Sequence, residues 1–137
     1  MTAPPAGAED DHPPRHLFVG RVHTAQRTVS CEDIAAFGSL VGDHGRHHRP
    51  GAEGVMAHGL FTASLATQVG GRLDFIARTM SWEFLQPVWA GDTITANVVV
   101  RALEARNTGT AVEFDITIVN QRGTTVLRGS SSGLIRS

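Results

Sequence analysis

The sequence of 137 residues contains no lysine and no tyrosine, and all twelve of its basic residues are arginine. These absences exclude a Schiff base on a lysine side chain and a tyrosine acid. No apolar run approaches the roughly 20 residues of a membrane-spanning helix. The arginines are scattered along the chain and form no basic stripe, which a nucleic-acid-binding surface would require. We therefore expect neither a membrane segment nor a nucleic-acid partner.

Cysteine is nearly absent, since Cys31 stands alone. An intrachain disulfide is therefore excluded, which agrees with a reducing cytoplasmic location. The N-terminal segment lacks the apolar core of a secretory signal and is rich in proline and acidic residues. This composition predicts a disordered tail over residues 1–15, followed by a single domain over residues 16–137.

Two helices are predicted in the first half of the chain. Ser30 and Asp33 form the reciprocal pair of a helix N-terminus, and Gly42 is placed to end that helix. The segment Val55–Val69 is apolar on almost every side, which is typical of a buried helix. We expect the glycine pair that follows, Gly70-Gly71, to terminate it.

The remaining pattern is that of β-strands. Leu17–Val22 is a short apolar run that predicts a first strand or an extended lead-in, and everything after Arg72 alternates or is bounded by turn residues. In the last strand, Thr125–Ile135, three consecutive serines predict a break or bulge. Trp82 and Phe84 are expected in the core. One buried helix with several long antiparallel strands is the α+β class.

Titratable side chains are concentrated in the glycine-rich stretch Gly42–Leu60, and this composition predicts a chemical site there. Its acidic and histidine residues are Asp43, His44, His47, His48, Glu53 and His58. The three histidines His44, His47 and His48 form an HxxHH string, but no second ligand cluster accompanies it. We therefore predict no metal site. His44 and His47 are interpreted as exposed loop residues and His58 as a hydrogen-bonded core histidine.

Three motifs resemble the MaoC-like enoyl-thioester hydratases and dehydratases of the hotdog superfamily. DIAAFGSLVGD, over Asp33–Asp43, resembles the helix that leads into the group's Gly-Asp pair; AHGL, over Ala57–Leu60, resembles the start of its central helix. FLQPVWAGDTI, over Phe84–Ile94, is similar to its PVxxGD turn. The resemblance implies a hotdog fold, in which a long antiparallel sheet wraps around one buried central helix. Thioesterase-type hotdog proteins are the close alternative.

The resemblance also implies a pair of catalytic residues. The group's signature is similar to GDxNPxH, and the string here, GDHGRHH, keeps Asp43 and His48 at its acid and base positions. Gly45 and Arg46 stand where that signature has asparagine and proline. The implied substrates are acyl thioesters of coenzyme A or of an acyl carrier protein. No cofactor is implied apart from the coenzyme A or phosphopantetheine of the substrate.

The chemistry of hydration assigns further roles in this stretch. Backbone N–H groups at the start of the central helix can bind the thioester carbonyl, and Gly59 lets the substrate approach them. His58, Arg46 and Glu53 are the other candidate substrate-binding residues. Reversible hydration or dehydration of 2-enoyl and 3-hydroxyacyl thioesters is the leading hypothesis.

Three alternatives stay open. Hydrolysis would use Asp43, Glu53 or His48 as the base. Addition of an amine to the double bond would use Arg46 to hold a carboxylate of the nucleophile. The third alternative is a non-enzymatic acyl-binding domain. In every case a single sheet around one helix leaves an unpaired edge, so we expect a homodimer or a higher homo-oligomer.

Overall fold

The computed structural model describes residues 17–137, so the tail predicted for residues 1–15 lies outside the described residues. Five antiparallel strands form one sheet in the order β1-β3-β4-β5-β2. The strands are β1 (Val22–Thr28), β2 (Phe75–Phe84), β3 (Thr93–Arg106), β4 (Gly109–Val119) and β5 (Thr125–Arg136). The helices are α1 (Cys31–Val41), α2 (Gly59–Ala63) and α3 (Ala66–Arg72), and Arg46–His48 forms a 3₁₀ turn.

The sheet follows the period-2 pattern of the sequence. Alternate side chains of two inner strands are buried against the helices: Ile94, Ala96, Val98 and Val100 on β3, and Val112, Phe114, Ile116 and Ile118 on β4. Asn107 and Thr108 connect these strands as a hairpin. Because α3 contacts β1, β2 and β3 on this face, the core lies between the sheet and the helices. This arrangement confirms the α+β hotdog prediction.

Two predictions about the strands were wrong in detail. The first strand is Val22–Thr28 and not Leu17–Val22, since these residues pair with β3 and bury His23 and Ala25. The sequence does not show this strand clearly, because most of its residues are polar. The strand β5 is continuous through its serines. The irregular pairing with β5 instead lies on β2, where Arg78 is an extra residue between Ala77 and Thr79.

The helix α1 begins and ends as predicted. The Ser30 hydroxyl accepts a hydrogen bond from Asp33 N at 3.0 Å, and Ser30 N donates to the Asp33 carboxylate at 3.3 Å. Gly42 adopts a left-handed conformation with φ 78° and ends the helix. Such a conformation is natural for glycine, which lacks a Cβ.

The second helix is shorter than predicted and is divided into α2 and α3. Residues Val55–Ala57 are extended, because Ala57 N donates to Val88 O and Val55 O accepts from Ala90 N, both at 2.8 Å. A backbone committed to these bonds cannot start a helix, so α2 starts at Gly59. The glycine pair at positions 70 and 71 lies inside α3, and the chain turns instead at Asp74, where φ is 53°.

The strand β2 forms one edge of the sheet and is largely exposed. Trp82 is half-buried against the core, but 54% of Phe84 is exposed, so its prediction as a core residue was wrong. Phe84 is the last residue of β2 and contacts the start of α2 instead. Over residues 17–137, no helix is long and apolar enough to cross a membrane.

Candidate active site

The end of α1 positions the carboxylate of Asp43. Both Gly42 N and Asp43 N donate to Gly38 O, at 2.8 and 3.0 Å, which folds the chain back over the last turn of the helix. Gly45 N then donates to Asp43 Oδ1 at 3.1 Å. This hydrogen bond, followed by the proximity of His48, lowers the pKa of Asp43 below its ordinary value of 3.8. Asp43 is therefore an anion at neutral pH.

The ring of His48 has a defined orientation. Its Nδ1 lies 2.7 Å from Met56 O, and a carbonyl oxygen can only accept a hydrogen bond, so Nδ1 carries the proton. Its Nε2 lies 3.6 Å from Asp43 Oδ2. The carbonyl of Met56 is itself held in place, since Met56 N donates to His47 O at 2.9 Å and Met56 bridges to Trp89. In the neutral ring, the free lone pair of Nε2 thus faces the carboxylate.

His58 is buried behind Asp43 and His48. Its ring stacks on that of His48 with centroids 3.6 Å apart and an interplanar angle of 20°. Its Nε2 lies 2.9 Å from Asp43 O and donates to it, while its Nδ1 is buried with no hydrogen-bond partner between residues 17 and 137. Phe37 packs against the same ring at 5.0 Å. The prediction of a hydrogen-bonded core histidine describes this environment, although the ring also contacts both members of the pair.

A groove of about 590 Å³ opens beside His48 and the start of α2. It is lined mainly by apolar side chains and backbone, including Met56, Leu60, Phe84 and Val126. Gly59 forms part of its wall, and a Cβ added there would lie 2.7 Å from the Phe84 ring. A side chain at position 59 would therefore displace the Phe84 ring or the start of α2. The first backbone N–H groups of α2 have no side-chain cap.

The structure separates two predicted substrate-binding residues, Arg46 and Glu53, from the pair. Arg46 and Glu53 line another exposed pocket, with Arg49 and Trp89, and make no side-chain ion pair with any part of the chain described. His44 is exposed. His47 is also exposed, but its ring centroid lies 4.0 Å from that of His48, so it is a direct neighbour of the pair.

A metal ion is poorly accommodated by the nearest group of donors. Asp43, His48 and His58 each offer one donor atom within 4.8 Å of the others. However, the two imidazoles are stacked, so the lone pairs in their ring planes run side by side and do not converge on one point. The Nε2 of His58 is also already engaged by Asp43 O. We assign no metal to these residues.

Two groups that shape the candidate site were not predicted from the sequence. The carbonyl of Met56 orients His48, and the Phe84 ring covers Gly59. Neither leaves a local signal, because a backbone carbonyl is present at every residue and an aromatic near a strand end resembles a core residue. Only the pairing of residues 55–57 with 88–90 brings these groups to the site.

No protein-family model and no curated protein matches the sequence, but solved structures do. An (R)-hydratase from A. caviae involved in PHA biosynthesis is 27% identical to this chain. Its structure matches with a TM-score of 0.79, and the match covers 89% of this chain and 99% of that chain. The R-hydratase PhaJ1 from Pseudomonas aeruginosa is 20% identical, with a TM-score of 0.81, and the match covers 90% of this chain and 84% of that chain. A MaoC-like dehydratase from Rhodospirillum rubrum is 20% identical, with a TM-score of 0.68 covering 90% and 96%. The chain is therefore a hotdog-fold protein that groups in structure with the MaoC-like (R)-hydratases.

Proposed function

We propose that this protein acts on acyl thioesters and catalyses the reversible addition of water to 2-enoyl thioesters. The observation that carries the proposal is the pair formed by Asp43 and His48, with His48 Nε2 3.6 Å from Asp43 Oδ2 and His48 Nδ1 held by Met56 O. The similar (R)-hydratase structures support the same reaction class. The catalytic roles below are part of this proposal.

The geometry of the pair suits a bridging water molecule. At 3.6 Å the two atoms are too far apart for a good hydrogen bond, and in the neutral state of His48 both are acceptors. A water molecule can donate one hydrogen to Nε2 and the other to Oδ2, and its oxygen lone pairs then face outward. His48 acts as the base that takes a proton from this water, and Asp43 orients it.

The reaction balances within this pair. The water oxygen forms a bond to C3 of the enoyl group while one of its protons passes to His48 Nε2 and the C2=C3 electron pair shifts toward the thioester oxygen. The enolate then takes that proton from His48 at C2, and the second water proton stays on the new hydroxyl group. The charge that develops meanwhile lies on the thioester oxygen, which needs hydrogen-bond donors. Backbone N–H groups beside Gly59 supply them in this proposal, because the groove admits an extended thioester next to that residue.

Loss of enoyl absorbance from crotonyl-coenzyme A tests the function. The expected result is turnover by the wild-type protein and little turnover by His48→Ala. Mass spectrometry of the products separates the alternatives, because water addition, hydrolysis and amine addition change the mass differently. Release of free thiol from saturated acyl thioesters, without hydration, would replace the proposal by a thioesterase. Binding of acyl ligands without turnover would replace it by an acyl-binding domain.

The same panel distinguishes the carrier. Crotonyl-coenzyme A and a crotonyl acyl carrier protein offer the same enoyl group on the same pantetheine arm. We propose that one of these two is the substrate, and a comparison of kcat/KM for both identifies which. Preference for one carrier is expected as a difference in KM, because the carriers differ only outside the reacting group.

We also propose that the protein is a homodimer paired through β2. This strand is ten residues long, lies at an edge of the sheet and exposes Ile76, Met80 and Phe84. An exposed edge of this length with apolar side chains is normally covered by another strand. Light scattering is expected to give twice the monomer mass, and Ile76→Lys with Met80→Lys to reduce it. A monomeric mass for the wild type would contradict the pairing.

A further inference from the structure

His58 is buried, but it contacts both Asp43 and His48, and these contacts indicate a role in the site. His58 is 4% exposed, its Nε2 donates to Asp43 O and its Nδ1 is buried, so it is not the base of the proposed reaction. It nevertheless contacts both reacting residues through different atoms. Its Nε2 donates to the backbone carbonyl of Asp43, and its ring face lies on the ring of His48.

We propose that His58 is a positioning residue that sets the spacing of the proposed catalytic pair. This inference rests on the proposed function for its kinetic consequence, but its structural content does not. Asp43 reaches the site from the end of α1, and His48 from the 3₁₀ turn. His58 begins α2 as its N-cap residue and contacts both, so it connects two separate segments to the central helix.

Each contact fixes a different degree of freedom. The hydrogen bond from Nε2 to Asp43 O holds the backbone from which the carboxylate projects. The stacked ring prevents His48 from tilting about its bond to Met56 O, because rotation in that direction would drive one imidazole into the other. Together they keep Nε2 of His48 opposite Oδ2 of Asp43. A small error in such a spacing is costly for a reaction that depends on one positioned water.

The neighbourhood of His58 is shaped to admit it in one orientation. A Cβ added at Gly38 would lie 2.9 Å from Asp43 O and 3.4 Å from both Nε2 and Cε1 of His58. The helix α1 therefore carries a glycine where the carbonyl and the imidazole meet. On its other side the ring packs against Phe37, and the buried Nδ1 is left without a partner. A leucine or phenylalanine at position 58 would fill this space without burying an unsatisfied nitrogen. The cost of burying Nδ1 is therefore explained by the hydrogen bond that Nε2 donates to Asp43 O.

The first test compares His58→Leu with His58→Gln. Leucine removes the donor, whereas glutamine retains a side-chain N–H that can reach a backbone carbonyl. We expect His58→Leu to lower kcat on crotonyl-coenzyme A by about tenfold or more with KM changed by less than about twofold, and His58→Gln to recover part of the loss. His23→Leu is the matched control, because His23 is a buried histidine on β1. It is expected to alter stability and leave kcat per folded molecule unchanged.

A second variant approaches the same contact from the opposite side. Gly38→Ala leaves His58 intact but forces Asp43 O away from Nε2, while alanine is a better helix former than glycine. It is expected to lower kcat as His58→Leu does and to retain the fold of α1. If His58→Leu fails to fold, this variant still tests the inference.

A spectroscopic readout is independent of enzymatic activity. Nitrogen-15 spectra of the histidine rings are expected to show His48 as the Nδ1–H tautomer in the wild type, from its bond to Met56 O. In His58→Leu this resonance is expected to shift toward a mixture of tautomers. If no enoyl thioester is turned over, the proposed function fails while this measurement still decides the positioning role. Unchanged kcat and an unchanged His48 tautomer in His58→Leu would overturn the inference, and so would losses no larger than those in His23→Leu.

Discussion

His48 Nε2 faces Asp43 Oδ2 across 3.6 Å, yet the two side chains differ in exposure: 7% of His48 is accessible and 54% of Asp43. His48 borders the groove and stacks on His58, and both members of the pair border a second cavity of about 380 Å³ beside α1. The pair therefore lies between two openings. In the proposed reaction the thioester approaches through the groove, and water can reach Asp43 from the other side.

The substitution Asp43→Asn tests the carboxylate with little change in shape. Asparagine can still accept from Gly45 N, but it is neutral and cannot orient the water by charge. We expect kcat on crotonyl-coenzyme A to fall by about 10²-fold or more, because His48 then acts on a water molecule that is no longer held in position. Asp115→Asn is the control, because Asp115 is an exposed carboxylate on β4 paired with Arg101. Equal activity of Asp43→Asn and the wild type would contradict the role of Asp43.

The lowered pKa of Asp43 predicts a pH-dependent contribution to stability. A carboxyl whose pKa is lower in the folded state than in the unfolded state stabilises the fold above its unfolded pKa, and this contribution is lost as pH falls through the folded value. The wild type is therefore expected to be slightly more stable than Asp43→Asn at neutral pH, with the difference closing in acid. Thermal melts of both proteins across this range provide the measurement. A difference that grows in acid would contradict the assignment of the shift.

A side chain at position 59 is predicted to interfere with the groove. The Cβ of Gly59→Ala would meet the Phe84 ring, so either the ring moves or the start of α2 shifts. We expect kcat/KM to fall by about tenfold or more, consistent with a displaced reacting group. The double variant Gly59→Ala with Phe84→Ala separates two causes. Recovery of activity would assign the loss to the ring, and a persistent loss would assign it to the methyl group against the thioester.

Two glycines allow a matched test of the fold. A Cβ at Gly129, in the middle of β5, would overlap the carbonyl oxygen of Ser81 and the ring of Trp82 on β2. Gly129→Ala is expected to cost about 2–3 kcal/mol or more of unfolding free energy in urea. Gly71→Ala is the control, because its Cβ would meet nothing within 4 Å and lies in α3. That variant is expected to be neutral or stabilising by roughly 0.5–1 kcal/mol.

Local rules carried much of the fold. The capping pair of Ser30 and Asp33, the glycine at 42 and the alternation on β3 and β4 each act within a few residues, so the sequence alone predicts them. The start of the central helix was misplaced because Val55–Ala57 pairs with residues more than 30 positions away. An apolar segment with this pattern suits a helix and an extended bridge equally well, and only the long-range hydrogen bonds decide between them.

Part of the candidate site could likewise be predicted from the sequence, and part depends on long-range contacts. Asp43 and His48 are five residues apart, and a motif can carry that spacing. The bond from His48 to Met56 O and the contacts of His58 depend on how the loop returns to the central helix, which no spacing records. Arg46 and Glu53 share the loop in sequence but turn away from the pair into their own pocket.

The attachment of α1 has a consequence for heat inactivation. Only Ile34 and Gly38 of this helix are buried, and Leu40 is 84% exposed, so α1 is held to the sheet by few side chains. Asp43 follows the C-terminal end of this helix, whereas neighbouring strands are joined by long hydrogen-bonded ladders. Segments with few buried contacts open before the rest of a domain. On warming, amide protons of α1 should therefore exchange and turnover should decline while the circular dichroism of the sheet is still intact.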